Sequence, residues 1–285
     1  MIKYHPFFKD FSQSMRLGDE TRYHLDDLPY FLSWPLVYIL KRTRVTPNQI
    51  GLLSFLTGLV FLAGLVCGLT LNNHYLLTLF LGLRILLDCI DGQLARYSDQ
   101  TSSLGALYDL VADFAFAVLL FMTMAYLLIS GNSVNPLLAV LICLLSFFSF
   151  IFTATVHSYL VLLGVSKNLP DSVIKNNFLD NLPNDRPDDD AYTRKLNFFN
   201  RLFKVTWRPV SLVVLSALGR GVQRQRIDFL LHVLSLSEYG MHLVILWVIV
   251  LSQSPLLYFV VFEIILFAFM IFSILLVLKR TARDE

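Results

Sequence analysis

Cysteine is scarce in this chain, charge is sparse, and there is almost no net charge; each shortage excludes something. Only three of the 285 residues are cysteines. Cys67, Cys89 and Cys143 all fall inside apolar runs, at no spacing that ligates a metal. They read as core or lipid-facing residues rather than a disulfide framework. Charged residues make up 15% of the chain and the formal net charge is +2, a balance that does not point to nucleic acid. The N-terminus is polar and charged, so no cleavable signal peptide is expected. No internal repeat is evident.

What the chain has in abundance is apolar sequence. Hydrophobic residues are 56% of it and its mean hydropathy is +0.63. Several apolar runs exceed the ~18 residues that mark a membrane span. The expected fold is all-α and integral to the membrane, because only helices and closed barrels satisfy their backbone within lipid. Six spans are expected, at about 50–71, 76–96, 104–130, 137–164, 227–251 and 256–278. Thr46-Pro47-Asn48 reads as the start of the first, with Thr46 a cap and Pro47 in the first turn.

Three divisions follow. Residues 1–44 form an N-terminal extension that ends in an amphipathic helix over 27–44. That helix is rich in aromatics and closes on Lys41, Arg42 and Arg44; it lies in the membrane interface or packs on the bundle. Residues 45–280 form the six-span domain, with a polar insertion at 165–226, and 281–285 are a tail. Within the insertion, 180–190 is acidic and rich in helix breakers, as a loop is. Residues 192–208 interleave basic and apolar groups like an interfacial helix, and 210–218 are apolar but too short to span. The turns at 72–75, 131–136 and 252–255 contain no Lys or Arg. The positive-inside rule therefore puts both termini, the 97–103 turn and the insertion in the cytosol.

The chemistry concentrates between Asp88 and Asp113. Asp88 and Asp91 are three apart, and Asp109 and Asp113 four apart, so each pair shares one face if its segment is helical. Carboxylates at membrane depth cost several kcal/mol each unless paired, neutralised or metal-bound. Two such faces brought together offer a cage of oxygen ligands for a hard divalent cation, Mg²⁺ or Mn²⁺. Two ions there would clamp a pyrophosphate for in-line phosphoryl transfer. Gly92, Ala95 and Gly105 lie on or beside the same turns and let a bulky ligand approach the backbone, and Arg96 can meet a phosphate bidentately. Arg84, one turn before Asp88, pairs with that aspartate or neutralises a phosphate. Glu238 and His242, four apart in span 5, are expected to pair with each other. Glu263 and His157 are expected to serve helix packing or a polar cavity.

The pattern Asp-x2-Asp-Gly-x2-Ala-Arg-x8-Gly-x3-Asp-x3-Asp is met at Asp88, Asp91, Gly92, Ala95, Arg96, Gly105, Asp109 and Asp113. It resembles the signature of the CDP-alcohol phosphatidyltransferase family, and eight fixed residues over 26 positions make a chance match very improbable. The resemblance implies a six-span core over about 45–280, two divalent cations, and a homodimer. It implies that Asp88, Asp91 and Asp109 hold the metals, while Asp113 contributes to them and acts as general base on an acceptor hydroxyl. It assigns Gly92, Ala95, Arg96, Ser102 and Gly105 to CDP binding, with Asn48 at the head of span 1. The segment Asn48 to Gly51 aligns with a nucleotide-contacting stretch in which the family often has Thr or Ser at the place of Gly51. The cluster Arg220, Arg224 and Arg226 resembles the basic stretch that binds a phosphorylated acceptor in some members.

The expected activity moves a phosphatidyl group from CDP-diacylglycerol to an acceptor alcohol, with release of CMP. Its relative within the family is transfer of phosphocholine or phosphoethanolamine from a CDP-alcohol to diacylglycerol. A different class also uses intramembrane carboxylates, the cation-coupled transporters. Their sites sit near the bilayer midplane on broken helices, whereas these aspartates fall at helix ends.

Overall fold

In the computed structural model, residues 27–68, 74–100, 103–131, 134–166, 230, 239–252 and 256–284 are described. They form seven helices: α1 (Asp27–Leu40), α2 (Pro47–Val66), α3 (His74–Tyr97), α4 (Ser103–Ser130), α5 (Pro136–Ser166), α6 (Tyr239–Leu251) and α7 (Leu257–Asp284). The segments 1–26, 180–190, 192–208 and 210–218 lie outside the described residues. Helices α2 to α5 and α7 fall where spans 1 to 4 and 6 were expected. The first ends five residues early, at Val66, because Gly68 takes a left-handed φ of 71° and closes it.

Among the described residues, four stretches are long and apolar enough to cross a membrane: Pro47–Val66, Tyr108–Ser130, Pro136–Ala154 and Leu257–Leu276. The chain is therefore a multi-pass helical membrane protein. Its outward apolar side chains, such as Leu137, Met122 and Phe272 at 69%, 64% and 63% exposure, suit lipid. Helix α3 is 24 residues, about 36 Å at 1.5 Å per residue, and so long enough. Its hydropathy is lowered by Arg84, Asp88, Asp91 and Arg96. The described part of α6 is 13 residues, shorter than a span.

The helices pack in a ring. Helix α2 lies against both α3 and α4, α4 against α5, α5 against α7, α7 against α6, and α6 back against α3. Aromatic and branched side chains from all six fill the middle, among them Phe61, Leu81, Phe116, Phe150, Leu246 and Phe259.

Local sequence sets the helix ends that matter for the site. At the head of α2, the Gln49 side chain accepts a hydrogen bond from the Thr46 N–H (3.0 Å). The Gln49 and Ile50 amides donate to the Thr46 carbonyl (3.1 and 3.3 Å). The expected start at Thr46-Pro47 is thus the observed one. At the foot of α3, Asp99 adopts a φ of 53°, a left-handed value that Asp tolerates better than most side chains. The Gln100 amide donates to Ala95 (2.9 Å) and the Asp99 amide to Arg96 (3.4 Å), a Schellman closure. It ends α3 just before the chain re-enters as α4, so both aspartate pairs fall at the same end of the ring.

Helix α1 docks on the outside of α3. Gln93, fully buried, donates from Nε2 to the Tyr30 carbonyl (3.0 Å) and accepts from the Ser33 hydroxyl (2.5 Å). Trp34 is fully buried among Val37, Ile50, Ile90, Leu94 and Tyr97, with its ring edge-on to Tyr97 at 5.0 Å. Lys41 closes this contact with its Nζ 3.5 Å from the centre of the Tyr97 ring. The opposite face of α1 exposes Phe31, Leu32, Leu36 and Ile39. One face of this helix thus packs on the bundle, and the other is left apolar and outward.

On the far side of the ring, α5, α6 and α7 are joined by buried polar contacts. His242 places Nδ1 2.9 Å from Glu263 Oε1 on α7 and Nε2 3.4 Å from Thr153 Oγ1 on α5. Ser146 donates to the Val260 carbonyl (2.9 Å). The expected pairing of His242 with Glu238 is corrected here. Both ring nitrogens are engaged across helices rather than along α6, and Glu238 itself lies outside the described residues. Glu263 serves helix packing, as expected; the side chain of His157 is not among those described.

Trp34→Ala should cost on the order of 3 kcal/mol, the loss typical of a fully buried tryptophan, seen as a lowered melting temperature of the purified protein in detergent. Phe31→Ala, on the exposed face of the same helix, should leave that temperature unchanged.

Candidate metal and phosphoryl-transfer site

Helix α3 brings Asp88 and Asp91 to one face and α4 brings Asp109 to meet them. One carboxylate oxygen from each of the three lies within 4.8 Å of the other two. Oxygens bound to one Mg²⁺ at about 2.1 Å stand at most about 4.2 Å apart across the ion, so the three need close by little to hold it. All three are hard anionic donors, the set that Mg²⁺ and Mn²⁺ prefer. The residues present therefore fit a divalent cation.

Asp113 stands one helical turn along α4 from Asp109 and outside that triad. Its Oδ1 accepts a hydrogen bond from Nη2 of Arg84 at 2.9 Å. The same guanidinium reaches Asp88 Oδ1 through Nη1 at 3.4 Å. Arg84 is only 1% exposed. Of its two expected roles, pairing is the one observed, and it extends to a second aspartate on another helix.

Helix α2 makes this convergence possible. Its Gly51, Ser54 and Gly58 lie along one stripe, at helical spacing. A Cβ at Gly51 would lie 2.7 Å from Asp91 Oδ2, and one at Gly58 would lie 2.8 Å from Arg84 Cδ and from the Phe116 ring. Ser54 is buried between them. It donates to the Arg84 carbonyl (3.0 Å) and accepts from Arg84 Nη1 (3.2 Å). The stripe lets α3 and α4 approach α2 closely enough for their carboxylates to meet. A cavity of ≈10 Å³, lined by Gly51, Ser54, Phe55, Arg84, Asp88, Tyr108, Asp109, Ala112 and Asp113, lies at this junction; that is about the room one water-sized sphere occupies.

The remaining expected residues are placed as follows. Gly92, Ala95 and Arg96 are half-buried along the last turns of α3, and Gly105 along the first turns of α4. The Arg96 guanidinium folds over Gly92, 3.3 Å from where a Cβ would be. Asn48 is exposed at the head of α2, at the same end. Ser102 and the acceptor candidates Arg220, Arg224 and Arg226 lie outside the described residues. The sequence reading missed Ser54, Gly58, Phe116 and Tyr108. A signal for the first two was present, small residues recurring along one face of an apolar helix.

A model of the CDP-alcohol phosphatidyltransferase family matches residues 44–174, a stretch that begins just before α2 and contains every aspartate of the site. Over that stretch the chain is similar to the CDP-alcohol phosphatidyltransferase family. No curated protein matches the chain. That similarity is to membrane transferases of phospholipid synthesis, which act on a CDP-alcohol and release CMP. The aspartate cluster matches the divalent-metal dependence typical of that family. The match ends within the polar insertion, so α6 and α7 complete the ring beyond it.

The Asp91 carboxylate is the far end of a side chain, so crowding should rotate it rather than unfold the helix. Gly51→Ala is therefore expected to weaken Mn²⁺ binding by about tenfold or more, as loss of one oriented ligand would. The melting temperature should fall little. Titration of Mn²⁺ followed by electron paramagnetic resonance reads the first, and a detergent melt the second.

Proposed function

We propose that this enzyme transfers a phosphatidyl group from CDP-diacylglycerol to a small polar alcohol, at a site facing the cytosol, in a six-span membrane domain. The observation that carries this reading is the meeting of Asp88, Asp91 and Asp109 at one end of the helix ring, with Asp113 held beside them. The absence of Lys and Arg from the turns at the opposite end supports the orientation. Helices α3 and α6 then complete the six spans. The first tolerates its charges because they face the site.

In this mechanism the donor lies along the last turns of α3. Gly92 and Ala95 leave room for the nucleotide, Arg96 faces its phosphates, and Asn48 faces its base from the head of α2. Gly105 lies at the nucleotide end, and Ser102 would contribute to nucleotide binding. Asp88, Asp91 and Asp109, with a contribution from Asp113, would hold two divalent cations, Mg²⁺ or Mn²⁺. When bound, those ions supply the positive charge that polarises the phosphorus and stabilises the departing oxygen. Asp113 takes the proton of the acceptor hydroxyl. The acceptor oxygen forms a bond to the phosphorus that carries the donor alcohol, and the bond from that phosphorus to the CMP oxygen breaks. The products are a phosphodiester and CMP, with no covalent enzyme intermediate. Arg220, Arg224 and Arg226 would draw a polar acceptor to the same face.

The test is CMP release by the purified protein with Mg²⁺ or Mn²⁺, a CDP-linked donor and a panel of acceptors. Turnover of CDP-diacylglycerol with a small polar alcohol is expected. Turnover of CDP-choline or CDP-ethanolamine with diacylglycerol would reverse the assignment of donor and acceptor, and silence with every CDP donor would defeat the reading. Asp113→Asn should abolish turnover and leave CDP binding within about threefold of wild type, as removal of a group that acts only in the transition state does.

A further inference from the structure

Arg84 is outside the eight-residue signature, yet the site is built around it. It crosses from α3 to α4 through a passage that Gly58 leaves open, since a Cβ there would meet its Cδ at 2.8 Å. Its Cζ lies 4.0 Å from the centre of the Phe116 ring, an aromatic face that stabilises a guanidinium. Ser54 accepts from Nη1 at 3.2 Å, and Nη2 donates to Asp113 Oδ1 at 2.9 Å. Burying a guanidinium is costly unless its charge and its hydrogen bonds are met. Here α2, α3 and α4 each contribute to meeting them.

We propose that Arg84 is a positioning residue for the transfer reaction, acting through Asp113. This rests on the reading of Asp113 as general base. A carboxylate on a helix can rotate about two side-chain bonds. Fixing Oδ1 to a rigid, planar fork fixes the plane of the group and so the direction of Oδ2. Proton removal needs its base within hydrogen-bond reach and aligned with the attacking hydroxyl. The guanidinium also keeps Asp113 outside the triad of Asp88, Asp91 and Asp109, although only one turn separates it from Asp109. Its contact with Asp88, at 3.4 Å, is longer than the 2.9 Å contact with Asp113, so Asp113 is the carboxylate it holds more closely. A residue of this kind should govern the chemical step and leave binding of metal and donor largely alone. A merely structural ion pair would move all three together.

The experiment compares wild type with Arg84→Met, Arg84→Lys and Ser54→Ala. It reads kcat and donor KM by CMP release, and Mn²⁺ affinity by electron paramagnetic resonance without substrate. Arg84→Met is expected to lower kcat about 100-fold, the scale of a small misplacement of a reacting group, with donor KM and Mn²⁺ affinity within about threefold of wild type. Arg84→Lys, which keeps the charge and can reach one partner, should recover about tenfold of that loss. An Arg84→Met protein with wild-type kcat overturns the proposal. So does one that loses Mn²⁺ affinity in step with kcat, which would make Arg84 a prop for the whole site. Arg84→Lys no better than Arg84→Met overturns it as well. If Arg84→Met does not fold, Ser54→Ala decides, since it removes one anchor of the guanidinium and little volume. A fall in kcat of about fivefold, the worth of one hydrogen bond, with Mn²⁺ affinity unchanged is then expected, and an unchanged kcat contradicts the proposal. Wild-type protein that releases no CMP from any CDP-alcohol would sink the transferase reading itself. The ratios of variants to wild type bear on Arg84 alone.

Discussion

Four carboxylates converge at one end of an apolar helix ring, and their mutual repulsion is the constraint to which the rest of the structure answers. Left alone, such a cluster would drive its helices apart or take up protons. The protein meets part of the charge with its own buried guanidinium, and the triad of Asp88, Asp91 and Asp109 is shaped for a divalent cation to meet the rest. Both solutions need α3 and α4 close together at one end. That closeness comes from the small residues of α2 and from the Schellman turn that brings the chain back at Asp99. The Trp34–Tyr97 contact then fastens α1 against the outside of α3, behind the site.

The same reasoning separates the two ends of the bundle. At the site end, polar groups face inward and one another, with Gln93 anchoring α1 and Arg84 anchoring Asp113. On the far side of the ring, His242, Glu263 and Thr153 join α5, α6 and α7. Buried polar groups of this sort cost free energy when a partner is lost and specify which helices sit together. One network lies beside the reacting groups, and the other secures the helices that complete the ring beyond the matched family segment.

How far the sequence could be read depends on the range of the interaction. The aspartate triad was legible because i,i+3 and i,i+4 spacing is a property of a single helix. The family signature then fixed which residues surround it. The start of α2 was legible for the same reason, since Thr46, Pro47 and Gln49 act within one turn. The partner of His242 was not, because Glu238 is four residues away and Glu263 is on another helix. Sequence proximity favoured the wrong one. Arg84 was read as a neighbour of Asp88, one turn away, while its shorter contact is to Asp113, 29 residues on. Ser54 and Gly58 carry no charge and so drew no notice, and Gly51 stood out only within the nucleotide-contacting stretch. The meaning of the stripe they form appears only when Asp91, Arg84 and Phe116 are seen packed against it. The apparent shortness of α3 as a span has a physical cause too: charges that serve the site dilute its hydropathy.

The central claim is that Asp88, Asp91 and Asp109 form the metal centre at which a CDP-alcohol is cleaved. Crystals of the protein grown with Mn²⁺ and CDP, measured at a wavelength where manganese scatters anomalously, test it most directly. The account requires anomalous density between those three carboxylates, with the CDP pyrophosphate against it and Asp113 still bonded to Arg84. Manganese bound elsewhere, or CDP bound away from α3 with no metal among the aspartates, would contradict it.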